Sequence, residues 1–195
     1  LLGTVIGTII GCAQGYFSGW FDIGSQRFIE IWSSLPFLYV VVLLTTIIQP
    51  GFFTLLLIMA AFEWIAITYY MRTETYREKT REYIAAARSM GASHFRIIFR
   101  HLLPNSLVPL ITITPFAIVG GIFSLSALDY LGYGLQATEP SWGQMIEEAL
   151  DSASRGKLWL IISPFATITT TLVLVTLIGE SIREAFDPRQ YSRYR

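Results

Sequence analysis

Stretches of about twenty residues with almost no charge dominate this chain, and few folds tolerate them. Apolar runs occupy residues 1–20, 28–48, 52–71, 105–128 and 158–178, each near the roughly 20-residue length that an α-helix needs to cross the hydrocarbon of a bilayer. Inside hydrocarbon every backbone N–H and C=O must find a partner within the protein, so such runs are expected as helices. Five spans of this kind predict an all-α membrane protein, a polytopic helical bundle with the lipid bilayer as its solvent. Composition agrees, since 53% of the 195 residues are apolar and only 14% charged. The mean hydropathy of +0.52 lies outside the range of ordinary soluble domains.

The formal net charge is zero, yet the charges are segregated. Arg72, Arg77, Lys79, Arg81, Arg88, Arg96 and Arg100 lie between the third and fourth runs, Arg183, Arg189, Arg193 and Arg195 follow the fifth, and Arg27 lies between the first and second. If five spans alternate, all of these fall on one side. The other side holds Arg155 and Lys157 beside Asp129, Glu139, Glu147, Glu148 and Asp151. The excess of basic residues in cytoplasmic loops therefore predicts a cytoplasmic loop after span three and a cytoplasmic C-terminus, with residue 1 starting outside and residues 129–157 forming an extracytoplasmic loop. Leu1 has neither an initiator Met nor a basic flank before it, so it reads as the edge of a trimmed domain with a span missing upstream. Cys12, the single cysteine, lies in a span and is expected to pack there.

Particular residues give the spans character. Gly3, Gly7, Gly11, Gly15 and Gly19 recur every four residues, a smooth face along which another helix can approach, either as a static seam or as one that slides. Pro36, Pro109, Pro115 and Pro164 interrupt spans two, four and five and predict kinks. Ser163, Thr167, Thr170 and Thr171 make one polar stripe on span five, suited to hydrogen bonding between helices or to lining a pathway. Glu63 lies midway along span three, where an ionised carboxylate facing lipid would cost about 2.5–3.5 kcal/mol. It is expected to face either a substrate path or a structural partner.

The cytoplasmic loop is the least ordinary part. Residues 74–90 are rich in helix formers, and Gly91 can take a positive φ and stop the helix. Beyond it Phe95, Ile98, Phe99, Leu102 and Leu103 repeat at helical spacing, with His94, Arg96, Arg100 and His101 facing elsewhere. Ala85, Ala86 and Ala87 keep the first helix slim, and Pro104 opens the next span. The expectation is a two-helix hairpin over residues 74–104, hinged at Gly91. It could dock on another protein or lie on anionic lipid.

The wording of this hairpin, AAARSMG at 85–91, nine residues, then HLLP at 101–104, resembles the EAA loop of ABC importer permeases: EAA, three residues, Gly, nine residues, I-x-L-P. Ala85 replaces the usual Glu, and His101 replaces Ile. SALDYLGYGL at 126–135 followed by PSWGQM at 140–145, and GESIREAFDP at 179–188, resemble the outer loop and closing motif of the C-type permease of dipeptide and oligopeptide importers. With QRFIEIWSSLP at 26–36, the wording most resembles permeases for microcin C-like peptides. The resemblance implies a single permease domain over 1–195 with the type I ABC importer fold, the first family span missing. It implies coupling to ATPases through Glu82, Ala85, Ala86, Ala87, Gly91, Phe95, Arg96, Leu103 and Pro104, with Phe95, Ile98 and Phe99 holding the hairpin on its scaffold. The implied partners are a second permease, two ATPases that bind the ATP and Mg, and an extracytoplasmic solute-binding protein, in a bacterial inner membrane.

This chain has no phosphate-binding GxxxxGK[ST] loop, so ATP hydrolysis is expected of the partners alone, with no cofactor held here. The match of Gly132 to Ala137 to GxGxxA lacks the preceding strand that a dinucleotide site requires. His94 and His101 lack further ligands for a metal. No feature calls for nucleic acid. The rival function is a proton-coupled carrier using Glu63, for which the expected internal repeats are missing from the sequence. A membrane scaffold without transport is another, poorly matched to kinked and partly polar helices.

Overall fold

The computed structural model describes residues 1–48, 51–136, 139–153 and 156–186, without the side chains of 107–109. Arg155, Arg189, Arg193 and Arg195, Ala137, Asp187 and Pro188, and the side chain of Pro109 lie outside the described residues. The order is α1 (Leu2–Phe17), α2 (Gly19–Ser33), α3 (Phe37–Ile47), α4 (Phe52–Glu78), α5 (Glu82–Ser89), α6 (His94–Arg96), a π-helical turn (Ile97–Leu102), α7 (Leu103–Tyr130), α8 (Trp142–Ala153) and α9 (Trp159–Phe186). Among the described residues, Phe52–Glu78, Leu110–Tyr130 and Trp159–Ala185 are long and apolar enough to cross a membrane.

The first two expected spans take a different form. α1 is a 16-residue helix, about 24 Å long at 1.5 Å per residue. It stops because Ser18 and Gly19 adopt φ of 55° and 60°, left-handed conformations that no α-helix continues through. Gly19 therefore belongs to the corner and not to the glycine face. The second span starts earlier than its apolar run, at Gly19, and breaks between Ser34 and Pro36, where α3 departs from α2 by 68°. Pro36 is the expected cause, since a proline disfavours helix at the residue before it.

Two compact units form, Leu1–Phe37 with Met59–Ile111 and Leu38–Ile58 with Thr112–Arg195. In the first unit, α1 lies directly on α4. A Cβ built on Gly3, Gly7, Gly11 or Gly15 would come within 2.8 Å of Glu63 Cβ, 2.5 Å of the Trp64 carbonyl, 2.6 Å of the Thr68 carbonyl or 2.6 Å of Thr75 Cβ. Only glycine allows that approach, and the rising numbers on both helices make the pair parallel. Thr68 Oγ1 donates to the Trp64 carbonyl at 2.8 Å and reaches the Gly7 carbonyl at 3.3 Å. α2 returns along α4 in the opposite sense: Asp22 meets Arg72, the Phe28 and Trp64 rings stack at 6.4 Å, and Trp32 Nε1 donates to the Ala61 carbonyl at 2.8 Å.

In the second unit, Gly179 of α9 lets Pro115 of α7 approach closely. The amphipathic α8 packs along α9, with Trp142 Nε1 donating to Thr167 Oγ1 at 3.1 Å. α7 ends where Gly132 takes φ 79°, with the Tyr133 amide bonded to the Leu128 carbonyl and the Gly132 amide to that of Asp129. Asp129 Oδ1 then accepts the Leu135 amide at 2.6 Å, and Gly143 leaves room for the Asp129 side chain. The described residues of the 126–136 and 140–145 wording thus encode a helix stop and a loop packed on Asp129.

Gly11→Leu should lower the melting temperature of the detergent-solubilised protein and its monodisperse yield, because overpacking of this kind costs about 1–3 kcal/mol. Gly24→Ala, with open space around it, should change neither. Equal behaviour of the two variants in a fluorescence size-exclusion melt would contradict the seam.

Candidate functional site: the hairpin and its anchor

The expected helix over 74–90 is two helices. α4 runs on to Glu78, residues 79–81 turn, and α5 begins at Glu82, an acid in the first turn where the helix dipole favours it. At its other end Met90 is the cap and Gly91 takes φ 74°, with the Gly91 amide bonded to the Arg88 carbonyl at 2.9 Å and the Ala92 amide to that of Ala87 at 3.0 Å. That paired pattern is the Schellman stop, and it places the hinge at Gly91 as the sequence predicts. Ser93 then caps α6 by accepting the Arg96 amide at 3.3 Å.

The second arm departs from the sequence reading in its buried face. A 3.6-residue period puts Phe95, Ile98, Phe99 and Leu102 together, but Ile97 to Leu102 is wound as a π-helix, with the Leu103 amide bonded to the Ile98 carbonyl five residues back. The wider turn brings Ile97 and Leu102 to one face, where they are 1% and 0% exposed, while Phe95 and Phe99 are 70% and 47% exposed. Ile98 is half-buried beside that face. The hairpin is therefore held by Ile84, Ala87, Ile97 and Leu102 around Tyr16 of α1, each fully buried aliphatic side chain contributing about 1.5–3 kcal/mol. Phe95 and Phe99 lean on each other at 4.3 Å instead. Ala85 and Ala86 are exposed, Ala87 is buried in the anchor, Arg96 and Pro104 are exposed and Leu103 is half-buried.

Polar contacts fix the same junction. The Tyr16 phenol lies 2.6 Å from His94 Nδ1, and the Arg88 guanidinium sits 5.4 Å from the Tyr16 ring centre. Lys79 Nζ donates to the Gly15 carbonyl at 2.8 Å and to Ser18 Oγ, placing a cation on the carbonyl end of α1. Burial and the neighbouring Arg88 charge hold the Lys79 ammonium below the usual lysine value. Two turns back along α4, Arg72 forks onto Asp22, Nε to Oδ1 and Nη2 to Oδ2, both at 2.6 Å, and Tyr76 donates to Oδ2 at 2.7 Å. Neither Asp22 nor Tyr16 stands out in the sequence. Their signals are only an acid in the first turn after a glycine corner and an aromatic at a helix end.

Glu63 packs against Gly3 on the α1–α4 seam and is half-buried. On α9, Thr167 and Thr171 donate to carbonyls four residues back, at 3.0 and 2.9 Å. Thr167 also receives the Trp142 indole. Ser163, Thr167 and Thr170 lie on the exposed side. Glu63 lies in the first compact unit and the hydroxyl stripe in the second.

Tyr83 reports on the hairpin's root. Partial burial, then its hydrogen bond to the Glu78 carboxylate at 2.8 Å, push its phenol up to about 12 from 10.0. The folded state holds this proton more tightly than the unfolded chain, so the stabilisation is complete below about pH 10 and is lost as pH rises through about 12. Melting temperatures measured from pH 9 to 12 should fall less steeply for Tyr83→Phe than for the unsubstituted protein, and identical slopes would contradict this placement.

Residues 3–191 match the family described as binding-protein-dependent transport system inner membrane component. The chain is 42% identical over 190 residues to the peptidoglycan transport system permease protein YejE of Agrobacterium fabrum, covering 97% of this chain and 49% of that one. It is 38% identical over 190 residues to the inner membrane ABC transporter permease protein YejE of Escherichia coli (97% and 55%). It is 33% identical over 189 residues to the dipeptide transport system permease protein DppC of Bacillus subtilis (97% and 59%). The chain thus spans about half the length of these curated relatives. The motif resemblance to C-type peptide permeases is met in these relatives.

Proposed function

The chain belongs to the family of binding-protein-dependent transport system inner membrane components, and from that premise we propose that it is the transmembrane part of an ATP-driven peptide importer. It forms half of a translocation pathway with a second permease and receives force from two cytoplasmic ATPases, while an extracytoplasmic binding protein delivers the solute. The relatives' names mention peptidoglycan and dipeptides. Their shared chemistry is a short peptide, with or without attached sugar, and that is the substrate class proposed here. The hairpin side is cytoplasmic, on the strength of the five lysine and arginine residues between α4 and α7, with Arg72 and Arg77 at the end of α4.

The observation that carries this reading is the hairpin's division into a fixed base and a bare tip. Its base is buried against Tyr16, whereas Ala85, Ala86, Met90 (80% exposed) and Phe95 present small and apolar surface on the exposed side. Solvated loops seldom leave a Met and two Phe side chains this open, so a protein partner on the cytoplasmic side is the natural cover. Gly91 and Arg96 lie beside that tip, while Glu82, Leu103 and Pro104 stand at the hairpin's two ends. Transport requires no bond to be made in the substrate. What it requires is that nucleotide bound to the ATPases favour one conformation of the pair over another.

The test uses the full-length permease assembled with its second permease, ATPases and binding protein in proteoliposomes. Gly91→Val forces a β-branched residue into the left-handed region, a cost of about 1–2 kcal/mol. ATP-dependent uptake of labelled peptide should fall about tenfold while the protein still inserts. Unchanged uptake by that variant, or purification of the unsubstituted permease without ATPase subunits, would overturn the assignment.

A further inference from the structure

Chain connectivity ties the hairpin to α4 through residues 79–81 and to α7 through the π-helical turn. A third attachment is not covalent and goes to α1. The Tyr16 side chain, on a residue 5% exposed, fills the centre of the hairpin's own core beside Ile84, Ala87, Ile97 and Leu102. Its phenol reaches across to His94 at 2.6 Å, on the far arm from Arg88, whose guanidinium covers the ring. Both arms of the hairpin thus hold one side chain of α1, and Lys79 holds the α1 carbonyl end from the hairpin's root. α1 in turn is seated on α4 at four glycines with no room for a methyl group, and Thr68 Oγ1 of α4 reaches the Gly7 carbonyl at 3.3 Å.

We propose that Tyr16 is a positioning residue through which displacement of the hairpin enters α1, so that α1 and the hairpin-side part of α4 move with the hairpin as one body. This rests on the ATP-driven importer reading above. If the hairpin were linked only by its covalent ends, the turn at 79–81 and the π-helical turn could absorb the movement locally, and hydrolysis would proceed with little tilting of the spans. The Tyr16 to His94 contact removes that slack. It is also separable from packing, since the ring fills the core and the hydroxyl alone makes the bond.

The assembled transporter in proteoliposomes tests this through the number of peptides imported per ATP hydrolysed. Tyr16→Phe keeps the ring and should lower that ratio about fivefold, in line with loss of one partly buried hydrogen bond, with the ATPase subunits still bound and hydrolysis undiminished. His94→Phe should do the same, and the double variant should be no worse than either single one. His94→Gln, which keeps a donor and an acceptor, should recover most of the ratio. An unchanged ratio in Tyr16→Phe would overturn the inference. So would uptake and hydrolysis falling together, the mark of a merely structural residue. Absence of ATP-dependent uptake by the unsubstituted assembly would instead bring down the importer reading, and the inference with it.

Discussion

The contact on which the first compact unit depends is the approach of α1 to α4. Four glycines one helical turn apart strip α1 of side chains along a single face, and α4 fills the space with Glu63, Trp64, Ile67, Met71 and Thr75. In a bilayer there is no water to expel between helices, so close packing and short polar contacts must supply the association. The consequence is register. With α1 seated, Tyr16 arrives at the level of the hairpin and the carbonyl end of α1 arrives at Lys79. Turning the corner at Ser18 and Gly19 then sends α2 back so that Asp22 meets Arg72 and Tyr76.

From that registered end, the hairpin follows. Its short α5 has too few residues to be stable alone, and it is kept by apolar burial on Tyr16 and by the Schellman stop at Gly91. The π-helical turn is the adjustment that makes this burial possible. It rotates Ile97 and Leu102 inward and leaves Phe95 and Phe99 outside, giving one element a sealed base and an open apolar tip. Single-turn π segments often occur at functional positions, and here the turn separates what holds the hairpin from what is free to meet a partner.

Much of this was legible in the sequence where the rule is local. The glycine spacing gave the seam, Gly91 the helix stop, Pro36 the break, and the motif wording the family. Legibility ended where partners lie far apart in the chain. Arg72 reads as one of many loop charges, and nothing adjacent points to Asp22, fifty residues earlier. Gly19 fits the four-residue spacing yet serves the corner, because periodicity does not report φ. A period of 3.6 residues per turn places Phe95 and Phe99 on the buried face, and a π-helical turn is invisible to that period. Glu63 shows a different limit: its depth in the span was readable, but the glycine beside which it packs belongs to another helix.

The central claim is that the hairpin, α1 and the hairpin-side part of α4 form one rigid body. Pulsed electron-spin distance measurements test it directly, with nitroxides at Ile9 of α1 and Ser89 of α5, both exposed, in a Cys12→Ser background of the assembled transporter. A single distance distribution, unchanged between nucleotide-free and ATP-bound states, is the predicted result. A distribution that shifts or splits when ATP binds would show the hairpin moving on α1 and contradict the account.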